Sequence, residues 1–251
     1  MLDWLRKQFS GAPERPEPPA HEIFAIGDIH GRLDLLGELL KAISQRAQSK
    51  RPELIFLGDY IDRGPASRSV VELLLHDDIT QAFRLVFLKG NHEATLLEFL
   101  TDPRVGPSWL QFGGGETLMS YGVRPPGLKT DAAAWEDASH QLAKVMPREH
   151  RAFYEALELT AERGCYLFAH AGVDPSKPID QQDESDLLWV RDAFLDDDRA
   201  LPRIIVHGHT PQSEPSKDHR RIGLDLGGYQ TGRLAAAHIL GSDVSFLTVP
   251  A

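Results

Sequence analysis

This sequence predicts an α/β fold of two β-sheets packed together with helices outside, on three observations. Short runs rich in Val, Ile, Leu or Phe alternate with segments of helical apolar spacing over residues 22–100. Further short runs between 221 and 249 follow one another with only short turns between them. Strings of Asp, His and Asn stand directly after several of these runs, where the strand ends of an α/β sheet collect reactive groups.

The elements follow in order. Residues 1–20 read as a flexible tail before a catalytic domain at 21–251. Within the tail, Met1 to Ser10 places Leu2, Leu5 and Phe9 beside Trp4 as a short amphipathic stretch, marginal as an isolated helix. Residues 11–20 are too proline-rich to pack. Strands are predicted at Glu22–Gly27, Leu54–Leu57 and Leu85–Leu88, and helices at Leu33–Gln48, Ser67–Leu75 and Ala94–Leu100. Helices between these strands imply parallel pairing. Residues 105–160 read as a mainly helical insertion over one side of the cleft. They are broken at Gly113-Gly114-Gly115 and Pro125-Pro126 and carry none of the Asp/His strings. Strands follow near 165–169, 203–206, 221–226, 233–239 and 244–249, and the close spacing of the last three predicts an antiparallel second sheet.

Composition narrows the function. With 41% hydrophobic and 25% charged residues, the 251-residue chain can bury a large core. A net charge of −10 argues against a nucleic-acid binder held by phosphate contacts. A phosphorylated substrate remains compatible, because arginines and metal ions can reverse the field in one cleft. The single cysteine, Cys165, rules out an internal disulfide, fits a reducing, cytoplasmic setting, and reads as a small buried strand residue. No apolar run is long enough to span a bilayer, so no integral membrane association is expected.

The strings carry the chemistry. They are Gly27-Asp28-Ile29-His30-Gly31, Gly58-Asp59-Tyr60-Ile61-Asp62-Arg63-Gly64, Gly90-Asn91-His92-Glu93, His170-Ala171-Gly172 and His207-Gly208-His209-Thr210. A carboxylate and an imidazole two residues apart, Asp28 and His30, can converge on one metal ion. Asp59 has two oxygens with which to bridge two ions. Asn91 offers an amide oxygen, and His170 and His209 complete a second ion. An O/N ligand set without thiolate suits two divalent ions such as Mn, Fe, Zn or Co. Each residue alone is more simply a helix cap, turn former or structural histidine. Their joint occurrence at strand ends is what singles out a dinuclear site.

These strings, spanning residues 27–210, resemble the metallophosphoesterase superfamily, and within it the phosphoprotein phosphatase branch, bacterial serine/threonine type. The resemblance implies a four-layer α/β/β/α sandwich with a dinuclear centre at its crest. It implies Asp28, His30 and Asp59 around one ion, and Asp59, Asn91, His170 and His209 around the other, with Mn as the expected metal. His92 matches the general acid for the leaving alkoxide, oriented by Asp62, and the nucleophile implied is a water or hydroxide bridging the metals. Arg63 and, through Leu187-Leu188-Trp189-Val190-Arg191, Arg191 match phosphate-binding arginines, with Asn91 beside them. Arg203 and Arg220 are the next candidates should Arg191 lie elsewhere. Glu93 and His207 read as loop supports.

The resemblance implies a protein serine/threonine phosphatase acting on phosphoproteins or phosphopeptides. The rivals are a nucleotide pyrophosphohydrolase of the diadenosine tetraphosphatase kind and a phosphotyrosine or dual-specificity phosphatase. In the symmetrical diadenosine tetraphosphatases the position matching Asp62 is not acidic and the third string ends in Asp, so Asp62 and Glu93 favour the phosphatase. His-Ala-Gly replaces a common His-Gly-Gly, and no Ser-Asp-Pro follows Trp189. Recognition by eukaryotic regulatory subunits is therefore not expected.

Overall fold

The computed structural model of the chain describes residues 14–127 and 130–250. The first sheet holds, in spatial order, β10 (Asp243–Val249), β9 (Leu234–Leu240), β1 (Ile23–Ile26), β2 (Glu53–Phe56) and β3 (Arg84–Phe87). The second holds β4 (Thr160–Arg163), β5 (Tyr166–Ala169), β6 (Ile204–His207), β8 (Arg221–Gly223) and β7 (Ser216–Lys217). Both sheets are mixed. The strands β1, β2 and β3 are parallel, as are β5, β6 and β8.

Alternation along β1 and β2 builds the layers. Phe24, Ile26, Leu54 and Phe56 pack toward the helices α1 (Leu33–Arg46) and α2 (Ser67–Leu74). Ile23, Ala25, Ile55 and Leu57 face inward onto Tyr166, Phe168, Val206 and Ile222 of the other sheet. On the far side Leu167, Ala169 and Ile205 pack under Leu187 of α9 (Glu184–Trp189) and Phe194 of α10 (Asp192–Leu195). Strands buried on both faces read as continuous apolar runs, which is why their positions were legible.

The last three strands depart from expectation. They do not form a separate antiparallel sheet: β8 lies in the second sheet parallel to β6, whereas β9 and β10 form a hairpin in the first, with β9 antiparallel to β1. Residues 224–233, including the short helix α11 (Gly228–Thr231), carry the chain from one sheet to the other. Close spacing fixes the hairpin but not which sheet a strand joins. The helices α9 and α10 between β5 and β6 supply the crossover that makes the second sheet parallel at its centre.

The remaining helices are α3 (Asp77–Ala82), α4 (Asn91–Phe99), and four from the insertion: α5 (Gly106–Gln111), α6 (Gly114–Ser120), α7 (Ala132–Val145) and α8 (Arg148–Glu155). The proline-rich segment, expected not to pack, lies against Leu201 and the turn at Gly164 between β4 and β5 over its described part. Arg15 Nε donates to Leu201 O at 3.1 Å, and Pro19 is buried. Proline costs little backbone entropy to fix, so an extended strap is within its reach. The Leu2, Leu5 and Phe9 stretch falls outside the described residues. Cys165 is buried at the start of β5, at the end opposite His170. No helix among the described residues is long and apolar enough to cross a membrane.

At the base of the first sheet, buried Glu22 accepts from Gln48 N (2.9 Å), Ser49 N (2.7 Å), Ser49 Oγ (2.7 Å) and His238 Nε2 (2.8 Å). Burial alone would raise its carboxyl, but these donors outweigh that and hold it below the ordinary value. A depressed carboxylate stabilises the fold above its unfolded pKa and loses that contribution as pH falls through the folded one. Glu22→Gln is therefore expected to cost about 1–3 kcal/mol at neutral pH. The gap to the wild type, followed by urea unfolding, should narrow below about pH 4.

Candidate active site

The expected site residues converge at the carboxyl ends of strands from both sheets. Asp28 and His30 follow β1, Asp59, Asp62 and Arg63 follow β2, and Asn91 and His92 open α4 after β3. His170 follows β5 and His209 follows β6. Among the described residues, the non-glycine positions with left-handed backbone are His30, Asp59, Asp62, Arg63 and His209, with φ between 46° and 69°. All belong to this site. Each such residue costs about 1–2 kcal/mol, which persists only where neighbours fix the loop. Here Ile29 N and His30 N both donate to Asp59 O (3.0 and 2.8 Å), locking two loops together. Glu93 accepts from the backbone of Asp59 (2.9 Å), Tyr60 (2.8 Å) and Gly90 (2.9 Å). Gly90 is required by close approach, since a Cβ there would come within 2.1 Å of Asp59 Oδ1.

The donor atoms face one another without protons to share. His170 spends its Nδ1–H on Leu57 O (2.8 Å) and His30 its Nδ1–H on Ile61 O (2.8 Å), leaving each Nε2 a bare lone pair. His170 Nε2 lies 2.9 Å from Asn91 Oδ1 and 3.2 Å from His209 Nδ1, and the latter two atoms are 3.0 Å apart. Ligands bound at about 2.1 Å to a single ion keep roughly this separation. Asp59 stands between the two groups, with Oδ1 3.5 Å from His170 Nε2 and Oδ2 3.5 Å from His30 Nε2. Among the described residues, those that could hold a metal ion form two clusters: His30, Asp59 and His92, and Asp59, His170 and His209. Asp28 joins neither; its carboxylate accepts from His209 N at 3.0 and 3.2 Å.

Electrostatics points the same way. Burial pushes His30 down to about 3 and His209 down to about 2, so both imidazoles are neutral at physiological pH and could serve as metal ligands. Burial, Asp225 and Asp59 together raise Asp28 well above the carboxylate range. Burial pushes Asp225 up to about 6, with the Asp59 charge adding to it. Three buried carboxylates beside bare imidazole nitrogens are a site that cations stabilise.

His92 behaves differently. Its Nδ1 donates to Asp62 Oδ2 at 2.6 Å, and its Nε2 faces Asp59 Oδ2 at 3.8 Å. Burial would lower its pKa, but Asp59 and Asp62 outweigh that and raise it to about 9. The insertion fixes the dyad: Trp109 Nε1 donates to Asp62 Oδ2 (2.7 Å), and Thr117 Oγ1 donates to Asp62 Oδ1. Arg63 N donates to Gly113 O (3.1 Å), and the Arg63 guanidinium sits 4.6 Å from the centre of the Tyr229 ring. Arg191 is exposed at the start of α10, near enough for its charge to act on His170 and His209. Arg220 is instead buried away, donating to Arg199 O, and Arg203 pairs with Glu162. His207 is buried edge-on against Phe194.

Sequence reasoning missed Trp109, Thr117, Asp225 and Tyr229. The first two lie in the insertion, which has no strand-end register to mark them. Asp225 is brought in by Gly27, where a Cβ would meet Leu224 O at 2.5 Å. The chain neighbours Asp28 and Asp225 therefore lie side by side, and only the signal of an Asp just after a strand could have found it.

Comparison with known proteins agrees with this geometry. The family model for calcineurin-like phosphoesterases matches residues 21–240. The asymmetrical bis(5'-nucleosyl)-tetraphosphatase PrpE of Anoxybacillus flavithermus is 27% identical over 84% of this chain and 87% of its own length. Serine/threonine-protein phosphatase 2 of Escherichia coli K12 is 29% identical over 85% of this chain and 90% of its own. A crystal structure provisionally assigned as a diadenosine tetraphosphatase shares the fold, with a TM-score of 0.61, 22% identity, and coverage of 94% of this chain and 98% of the other.

Proposed function

The chain belongs to the calcineurin-like phosphoesterases, and from that premise we propose a metal-dependent phosphomonoesterase that acts on phosphoserine and phosphothreonine in proteins. The observation that carries the choice is the buried His92–Asp62 pair. An aliphatic alkoxide is a poor leaving group and needs a proton, and a histidine held in its charged form by a buried carboxylate supplies one. A polyphosphate leaving group needs no such acid. In this reading Asp28, His30 and Asp59 hold one divalent ion, and Asp59, Asn91, His170 and His209 the other, with Mn the first choice. Bound ions supply Lewis acidity and an activated water nucleophile. Arg63 and Arg191, with Asn91, hold the phosphoryl oxygens. His92 Nε2 protonates the departing oxygen while Asp62 keeps Nδ1 as the donor to itself. The single buried thiol suits a reducing, cytoplasmic setting.

A second reading, asymmetrical cleavage of bis(5'-nucleosyl) tetraphosphates, is favoured by the name that six relatives share, each aligned over 80–90% of this chain. Rates on phosphoserine, phosphothreonine and phosphotyrosine peptides beside diadenosine tetraphosphate, with Mn added, decide between them. A preference for diadenosine tetraphosphate over every peptide would overturn the first reading.

Either substrate needs the arginines. Arg63→Ala and Arg191→Ala are each expected to lower kcat/KM by the equivalent of about 2–4 kcal/mol in transition-state stabilisation. Lysine should rescue poorly, because a point charge cannot make the bidentate contact. Unchanged kinetics and unchanged inhibition by free phosphate in Arg191→Ala would make that residue a surface one.

A further inference from the structure

The four edges of the two sheets are not protected alike. β7 is two residues long and carries Lys217. β4 is four residues long and carries Glu162 and Arg163, the latter paired with Glu53 at 2.9 Å. β3 is four residues long, opens on Arg84, and is followed by a bridge from Leu88 to Glu158. Shortness, charge and cover are the ordinary means by which a sheet edge avoids further pairing. Among the described residues, β10 has none of them. Its seven residues hold no Lys, Arg or Pro, and they run beside β9 in seven consecutive pairs without a bulge. Asp243, next to the turn, is the strand's one charge. Phe246, at its middle, is 37% exposed.

The outer backbone of β10 has no partner. Gly27 N donates to Ala235 O at 3.1 Å, so Ala235 turns its polar groups toward β1. Thr248, opposite Ala235 in the hairpin, therefore sits in a non-hydrogen-bonded pair. By alternation so do Phe246, opposite Ala237, and Val244, opposite Ile239. The N–H and C=O groups of Val244, Phe246 and Thr248 point away from β9, and among the described residues no hydrogen bond engages them.

We propose that the free edge of β10 is an interface for a second copy of this chain, paired antiparallel across a two-fold axis at Phe246. Antiparallel pairing of a strand with its own copy closes on itself, so the assembly stops at a dimer. Only residues with outward polar groups can hydrogen-bond across the axis. A centre at Phe246 engages all three, setting Val244 opposite Thr248 of the second copy and Phe246 opposite its own counterpart, with about six backbone hydrogen bonds. A centre at any other residue of the strand leaves at least one of the three without a strand partner. The register also makes a cross-strand aromatic pair of the two Phe246 rings. It keeps the two Asp243 side chains about 20 Å apart. The net charge of −10 on each copy opposes association, but the strand places none of that charge at the axis.

The test is the mass of the full chain in solution, by light scattering after gel filtration and by sedimentation over a concentration series. The wild type is expected to dimerise as its concentration rises. Phe246→Lys sets two like charges against each other at the axis and should raise the dissociation constant about tenfold or more. Thr248→Pro removes one outward N–H from each copy, at a position where an edge strand tolerates proline, and should weaken the dimer as well. Circular dichroism and turnover on an aryl phosphate, both expected unchanged, show that the two variants fold. Phe246→Cys should cross-link to its own copy on mild oxidation, because a hydrogen-bonded antiparallel pair sets its Cα atoms about 5.5 Å apart, within disulfide reach. The native thiol, Cys165, is buried, and Arg84→Cys at the opposite edge of the same sheet should not cross-link. A wild type that is monomeric at every concentration overturns the proposal and leaves the edge to an extended segment of a different protein. A dimer undiminished in both Phe246→Lys and Thr248→Pro overturns it too, since its interface then lies elsewhere.

Discussion

Asp59→Asn is expected to lose both metal ions from the purified protein and to lower turnover by on the order of 10³-fold, more than the 10–100-fold typical of an outer partner of a metal ligand. Asp59 faces His170 through one oxygen and His30 through the other, both at 3.5 Å, so its charge serves both clusters. Despite its burial, Asp59 is held below the ordinary carboxylate range by the imidazoles around it in the acid range where they carry charge, and it stays ionised. Asparagine keeps the shape and tolerates the left-handed backbone at this position, where φ is 52°. The variant should therefore fold, and its defect should be one of charge. Metal content after gel filtration and rates with excess Mn check it. Stripping the wild type with chelator should abolish activity, and Mn should restore it. Wild-type metal content in Asp59→Asn would show that the two clusters do not share this carboxylate, and full activity of the stripped protein on an aryl phosphate would overturn the two-metal reading.

The positions of the site were legible because strand ends are. An apolar run followed by Asp, His or Asn announces both a buried strand and a polar group at its mouth, and Asp28, Asp59, His170 and His209 do each follow a strand. What could not be read is how the loops are held. The left-handed backbone at His30, Asp62 and Arg63 leaves no compositional trace, because glycine is absent from those positions. The insertion looked like a cover over the cleft. Its contribution is chemical, since Trp109 and Thr117 supply Asp62 with donors that no local pattern encodes. The sheet assignment of β9 failed for a related reason: pairing with β1 is decided across more than 200 residues of chain, by burial of Ala235, Ala236 and Ala237 between neighbours rather than by turn length.

The sharpest division of labour to test lies within one loop, between His92 and the imidazoles around it. His92→Asn is expected to lower kcat on a phosphoserine peptide by roughly 10²–10⁴-fold, as for a lost general acid. The loss should shrink on an aryl phosphate, whose leaving oxygen is a weaker base, and metal content should stay near that of the wild type. Asp62→Asn should act in the same direction but less severely. The asparagine oxygen can still accept from His92 Nδ1 and Trp109 Nε1, and its amide can donate to Thr117 Oγ1. What it removes is negative charge. Burial disfavours the charged form of His92, and Asp59 and Asp62 restore it. Without the Asp62 charge the pKa falls, so the protonated fraction at a given pH falls with it. The alkaline limb of kcat on phosphoserine should therefore move to lower pH in Asp62→Asn, while the profile on aryl phosphate moves less. His92 also stands within the cluster of His30 and Asp59, which gives the alternative a definite form. If His92→Asn binds one ion fewer, or loses equally on both substrates, His92 is a ligand, and the proton for the leaving group must come from elsewhere.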